Sequence, residues 1–477
     1  MVLSPMDRRA FLATCAAVAS TPWSAQPAIA ELSASDDAFF DDLQQRTFRF
    51  FWDTTNPANG LATDRYPRPP YASIAATGFA LTAYPIGIER GWITRAEGRQ
   101  RVLTTLRFFH AAPQGPQARD VSGFMGFFYH YLDTVTGLRV DGTELSTVDT
   151  ALLLGGVLFC RSYFTWLHAD EAEIRRLADA IYARVDWRWA QQPADRSPAI
   201  NLGWLPDRGF IRYSWFGYSE AMILYLLALG SPTNAVEPDA WTAWQRDFDK
   251  TWGLNFGPQP HLGFAPMFAH QYSHAWIDFR GIRDGYMRGR DLDYFENSRR
   301  ATYAQRAYAM TNPEGWKGYG PDVWGLTACD GPGNLSHLYK GRDRRFHAYW
   351  PRGPGQRDDG TIAPTAALGS IAFAPEICVP AALRMQRDYG QNILGPYGCV
   401  DSFNPSFDFS DLAPTTGRTI PGVGWVAPGY LGIDQGPIVA MIENWKSGLI
   451  WKTMRANPHI IRGLRRAGFT GGWLQTA

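Results

Sequence analysis

Apolar and polar positions along this 477-residue chain recur mostly with the spacing of one helix face. Ser35 precedes Asp36 and Asp37, and Phe39, Phe40, Leu43 and Thr47 follow at helical intervals, with the acids in the first turn where the helix dipole favours them. Thr94-Arg95-Ala96-Glu97 is a capping box leading into Val102, Leu103, Leu106 and Phe109. Ser146-Thr147-Val148-Asp149 opens the apolar run 151–159 in a similar way. Further helical patterns cover 73–87, 171–190, 219–229, 239–252, 273–309, 375–389, 435–456 and 457–467. Strand signals are few: residues 121–140 can hold a hairpin, and no alternation of strand with helix marks a parallel sheet. About a dozen helices, many in antiparallel pairs and with no linker between them, predict one all-α domain over residues 31–477. Twelve helices in six hairpins can close into an (α/α)6 toroid with few short strands and long Gly/Pro/aromatic-rich loops. An irregular helical array is the alternative. The stretch 312–364 is too long for a simple connection, and long ordered loops commonly carry function.

Composition sharpens this picture. With 45% hydrophobic and 19% charged residues the chain can bury a sizeable core, so disorder is not expected. The first thirty residues carry Asp7-Arg8-Arg9-Ala10-Phe11-Leu12, a short uncharged run and Ala28-Ile29-Ala30, the pattern of a cleavable twin-arginine export signal. Thr before Cys15 makes a lipoprotein box a poor fit. Removing that segment takes 46 basic and 45 acidic residues to 44 of each, which leaves no net field to draw the protein onto nucleic acid or an anionic membrane. No later run is long and apolar enough to span a bilayer. The expectation is therefore a periplasmic or secreted monomer without a membrane anchor. Of the remaining cysteines, Cys160 sits in an apolar helical stretch, while Cys378 and Cys399 could pair in an oxidising compartment. The 19 Trp, 21 Tyr and 28 Phe suit either a large core or a surface that stacks on sugar rings.

Motifs for phosphoryl, hydride and elbow-serine chemistry are absent. His270, His274 and Asp278 stand at four-residue spacing and could face a metal, but hydrogen bonding to a polar ligand or to loops is the simpler reading, and no metal or cofactor is expected. Carboxylates among aromatics remain. Glu220 follows Tyr213-Ser214-Trp215-Phe216-Gly217-Tyr218-Ser219, and burial there would raise its pKa as a general acid needs, although an ordinary first-turn glutamate has the same pattern. Glu144 and Asp149 flank the Ser146 helix start, with Asp133 upstream; Asp149 also occupies the N3 position of a cap. Asp434 could equally cap the last long helix.

Several segments together carry a resemblance: the aromatic-Gly-Tyr-Ser219-Glu220 turn, His270-Gln271-Tyr272-Ser273-His274-Ala275-Trp276-Ile277-Asp278-Phe279-Arg280-Gly281, Asp293-Tyr294-Phe295-Glu296-Asn297-Ser298, Gly315-Trp316-Lys317-Gly318-Tyr319-Gly320, Trp324-Gly325-Leu326-Thr327-Ala328, Asp359-Gly360-Thr361-Ile362-Ala363-Pro364 and Gly432-Ile433-Asp434-Gln435-Gly436-Pro437. From about residue 48 to 469 the chain resembles the bacterial glycoamylase-like domain, whose members include endo-β-1,2-glucanases of glycoside hydrolase family 144. The resemblance implies an (α/α)6 barrel and endo-type, anomer-inverting hydrolysis of β-1,2-glucan without a metal. It makes Glu220 the acid or its near neighbour, sets Asp149 and Glu144 across the scissile bond, and has Asp434 close the pocket. Trp215, Tyr272, His274, Trp276, Asp278, Tyr319, Trp324 and Asp330 would bind sugar, and Asp133 is taken with them; Trp276 and Asp278 could instead be scaffold. Action on another glucan linkage, and glucan binding without turnover, are the rival expectations.

Overall fold

The computed structural model describes residues 32–67, 71–191 and 197–477. The export-signal reading, which falls on residues 1–30, lies outside the described residues. Sixteen α-helices are numbered here in chain order: α1 Ala34–Thr54, α2 Ile74–Glu89, α3 Arg95–Ala111, α4 Thr147–Tyr163, α5 Ala169–Ala183, α6 Met222–Gly230, α7 Asp239–Trp244, α8 Phe248–Thr251, α9 Tyr272–Trp276, α10 Gly285–Arg288, α11 Tyr294–Thr311, α12 Pro364–Leu368, α13 Pro375–Ile393, α14 Gly432–Lys446, α15 Leu449–Met454 and α16 Pro458–Arg466.

Six of these form a ring. α2 packs on α4, α4 on α6 and α6 on α9; Gln271, just before α9, donates to the Thr365 and Ala366 carbonyls of α12; α12 then packs on α14, and α14 returns to α2. Outside them, α1 covers α2 and α14, α3 covers α2 and α5, α13 covers α12, and α16 covers α6. Every residue of α6 is buried, as is nearly all of α2, which is why these helices have no polar face and read as continuous apolar runs. Small residues allow the closest approach: a Cβ on Gly156 of α4 would lie 2.0 Å from the Gly78 carbonyl oxygen of α2, so neither helix can carry a side chain at that crossing.

Capping follows the sequence at α3 and α4, whereas at α1 the cap is Ser33, whose hydroxyl accepts the Asp36 N–H, and the expected Ser35 lies inside the helix. Thr94 and Glu97 form the reciprocal box at α3, and Ser146 accepts the Asp149 N–H at α4. Three periodic stretches break into pieces. Residues 273–309 split into α9, α10 and α11, because Asp284 and Asp293 each cap a new start and Gly281 takes φ 73°. Residues 435–456 divide at Gly448, whose φ of 69° ends one helix before the next. Residues 239–252 become α7, a 3-10 turn and α8. Strands are more numerous than the sequence suggests but none exceeds five residues, and they form eight small sheets among the described residues. Gly123–Phe124, Phe127–Tyr129, Leu145–Ser146, Gly203–Leu205 and Gly209–Phe210 make the largest, which leads directly into α4. Cys378 and Cys399 are both buried free thiols, so the pairing considered from sequence does not form. No helix among the described residues is long and apolar enough to cross a membrane.

Candidate active site

The N-terminal ends of α4, α6, α9 and α14 come together and carry the site. Glu220 lies in the turn just before α6 rather than in its first turn. That turn is held from both sides: the Gly217 N–H donates to the Trp244 carbonyl at 2.8 Å, and the Ser273 hydroxyl of α9 accepts the Ile223 N–H at 3.0 Å while donating to the Glu220 carbonyl at 3.3 Å. The glutamate is partly exposed, yet its Oε2 is buried and has no hydrogen-bond partner. Desolvation pushes its pKa up to about 7, and the charge of Asp149 adds to the rise. A carboxyl kept protonated near neutrality, with an unused oxygen, is equipped to donate a proton.

Facing it is an ion cluster. Asp149 Oδ2 accepts from Ser146 Oγ at 2.5 Å and lies 3.7 Å from His130 Nδ1, which is 2.9 Å from Glu144 Oε1. Burial works against the His130 cation, but the charges of Asp149 and Glu144 and the Glu144 hydrogen bond overcome it and raise the pKa to about 9. Burial likewise raises Glu144, and the His130 contact more than offsets it, leaving that carboxyl below its ordinary range. A second cluster stands at α14. Asp434 is 3% exposed, and desolvation followed by the neighbouring Asp401 pushes its pKa well up. Asp401 rises to about 6 by desolvation and the Asp330 charge. Asp401 Oδ2 accepts the Asp330 N–H and the Ser402 hydroxyl, whereas Asp401 Oδ1 and Asp434 Oδ2 are buried without a hydrogen-bond partner. The two carboxyls raise each other's cost of ionisation, so the pair favours holding a proton. Arg65 clamps Asp330 at 3.0 and 3.2 Å and also reaches Asp64. Tyr272 connects the halves: its hydroxyl feels the charges of Asp434, Glu220 and Asp149 together, which with burial drive its pKa far up.

The structure therefore brings together Glu220, Asp149, Glu144, Asp434, Asp330 and Tyr272, with Trp215 alongside, its indole donating to Thr147 Oγ1 at the head of α4. Other expected sugar ligands lie elsewhere. Trp276 is 0% exposed, stacks on Phe79 at 4.9 Å and donates to Thr82, so no face is left for a ring of glucose. His274 is enclosed by Phe279 and Phe373, bonds Ser298, and is pulled down to about 3 by desolvation. Asp278 is the buried partner of Arg280 and Arg455. With His270 packed on Tyr218, these three side chains serve different neighbours and do not gather as the metal reading required. Trp324 is 0% exposed in the core. Asp133 accepts the Val135 and Thr136 N–H groups and shapes a turn. Tyr319 donates to Asp358 at 2.6 Å, which it shares with Tyr308, anchoring the long loop. His130, Asp401 and Arg65 were missed, because each takes its role from residues distant in sequence. Among the described residues His130, Glu144 and Asp149 are the one acidic-histidine group compact enough for a cation, their ligand atoms all within 4.8 Å.

Buried helices whose N-terminal ends gather several carboxyls, one of them pushed up toward neutrality and another held below its ordinary range, define a helix-rich domain with an acid/base cluster. The family model described as glycoamylase (putative glucoamylase) matches residues 212–458, over half of the chain, and the chain belongs to that family. The exo beta-1,2-glucooligosaccharide sophorohydrolase (non-reducing end) of Parabacteroides distasonis is 30% identical over 463 residues, covering 91% of this chain. This chain spans 58% of that relative's length. A putative glucoamylase from Bacteroides uniformis superposes with a TM-score of 0.77 at 32% identity, over 93% of this chain and all of that one. The endo-beta-1,2-glucanase from Chitinophaga pinensis, solved with sophorotriose and glucose, gives a TM-score of 0.78 at 28% identity, over 92% of this chain and all of that one.

Proposed function

We propose that this chain is an exported glycoside hydrolase that cleaves β-1,2-glucan within the chain and releases β-1,2-glucooligosaccharides. The observation that carries the reading is the unpartnered, buried Oε2 of Glu220, whose carboxyl burial and the charge of Asp149 push up to about 7. In this account Glu220 protonates the bridging oxygen as the bond breaks. Asp149, with Glu144 beside it, takes the proton of the attacking water. A β-1,2 linkage leaves sugar hydroxyls next to the reacting carbon, and one of these relays that proton, so attack from the far face inverts the anomer. The negative charge of the Asp401–Asp434 pair stabilises the oxocarbenium character of the transition state. Trp215 and Tyr272 position the sugar.

Endo action is the reading taken from the similarity to the Chitinophaga endo-glucanase, which was solved with sophorotriose and glucose. The ring of inner helices and the outer layer fit a six-hairpin (α/α)6 toroid. Export rests on the Arg8-Arg9 segment, and the neutral charge balance suits a monomer acting on an uncharged polymer. The test is incubation with a panel of linear glucans of different linkages. Short oligosaccharides from the β-1,2 polymer alone support the reading; release from an α-linked polymer, or binding without any product across pH 5–8, overturns it.

A further inference from the structure

Two carboxylates that approach one site normally compete for a proton, because like charges disfavour double ionisation. Glu144 and Asp149 escape that outcome through a side chain that belongs to neither. His130 sits between the strands Phe127–Tyr129 and Tyr131–Asp133, and its backbone is fixed on both sides: its N–H donates to the Glu144 carbonyl at 3.0 Å, and its carbonyl accepts the Ile74 N–H at 3.2 Å. The Tyr131 ring stacks on the imidazole at 3.9 Å, so its plane is set as well. Nδ1 then points between the two acids, at 2.9 Å and 3.7 Å.

We propose that His130 is a positioning residue, a fixed cation that holds Glu144 and Asp149 as a paired anionic wall and so leaves the cluster's donatable proton on Glu220. This rests on the acid/base reading above. The charges that act most strongly on the imidazole are Asp149 on α4, Glu144 ahead of the strand Leu145–Ser146, and Asp64 beside the strand Arg65–Tyr66, itself bonded to Arg65. Arg139 contributes a smaller positive influence on Glu144. The facing charges are thus predominantly negative, and the surroundings favour the imidazolium over the neutral ring.

Glu220 is coupled to this wall. Part of the rise in its pKa comes from Asp149, and losing the His130 charge lets Glu144, which that charge holds below its ordinary range, compete for the proton. His130→Gln, which keeps a donor but no charge, should therefore move the acidic limb of the kcat/KM profile up by about one pH unit, with the loss in kcat and little change in KM. His130→Lys should restore the limb. A loss of the same factor at every pH, or a limb unmoved in the Gln variant, would overturn the proposal. An imidazole NMR titration of the native chain decides it independently of turnover. A His130 midpoint far above the free value of about 6.5 supports the fixed cation, and a midpoint near that value refutes it. Absence of hydrolysis with a high midpoint would count against the function and leave the cation standing.

Discussion

One hydroxyl links Ser146 to Asp149 in two ways: Ser146 Oγ accepts the Asp149 backbone N–H at 3.2 Å and donates to the Asp149 carboxylate at 2.5 Å. The serine is the cap, and the aspartate is freed from that duty to face His130. The helix terminus and the reactive wall are thereby one local structure, and the two roles separate by mutation. Ser146→Ala should cost about 1 kcal/mol of stability through the lost cap. Asp149→Asn should leave the melting temperature almost unchanged and lower kcat by on the order of 10²-fold. Thermal unfolding and steady-state rates on the two variants check both halves.

Glu220→Gln is expected to reduce kcat by on the order of 10²-fold or more with a modest effect on KM, since proton donation assists only the transition state. It also carries a stability signature. The folded-state pKa of about 7 exceeds the free value, so the native chain is penalised as pH rises from about 4.5 and fully so above 7. The glutamine variant should be the more stable protein at pH 8, by on the order of 3 kcal/mol at most, and equal to the native chain at pH 4. Melting curves at the two pH values read this out.

The Asp401–Asp434 pair predicts a further pH effect. Both pKa values are raised, so the folded state holds protons that the unfolded chain releases, and stability falls as pH rises through about 6. Asp434→Asn removes one of the two titrating carboxyls and its charge from beside Asp401. The decline in melting temperature between pH 4 and 6 should shrink in that variant.

Aromatic residues divide between the core and the acidic cluster, and mutation should show it. Trp276→Ala opens a cavity beside Phe79 and should cost about 3–5 kcal/mol, with KM unchanged in whatever fraction remains folded. Trp215→Ala should raise KM several-fold with a much smaller stability loss. Denaturant unfolding and kinetics on the pair would distinguish them.

These residues also mark how far the sequence can be read. The α3 and α4 starts were legible because a cap is a local pattern of four residues, and Glu220 was legible because its aromatic turn is contiguous. Trp276, His274 and Trp324 misled because the inner helices and the core around them are buried on every face. Such helices lose the periodicity that separates a site residue from a core residue. His130 and Asp401 were invisible for another reason. His130 meets Glu144 through strand pairing across 14 positions, and Asp401 meets Asp434 only because a loop folds onto the head of α14. Neither contact leaves a spacing in the chain.

The central claim is that a protonated Glu220 cleaves a β-1,2 linkage. Native protein and Glu220→Gln should be compared on linear β-1,2-glucan at pH 6, following oligosaccharide release with time. The account predicts short products from the native chain and on the order of 10²-fold slower release from the variant. Equal rates from the two proteins would contradict it.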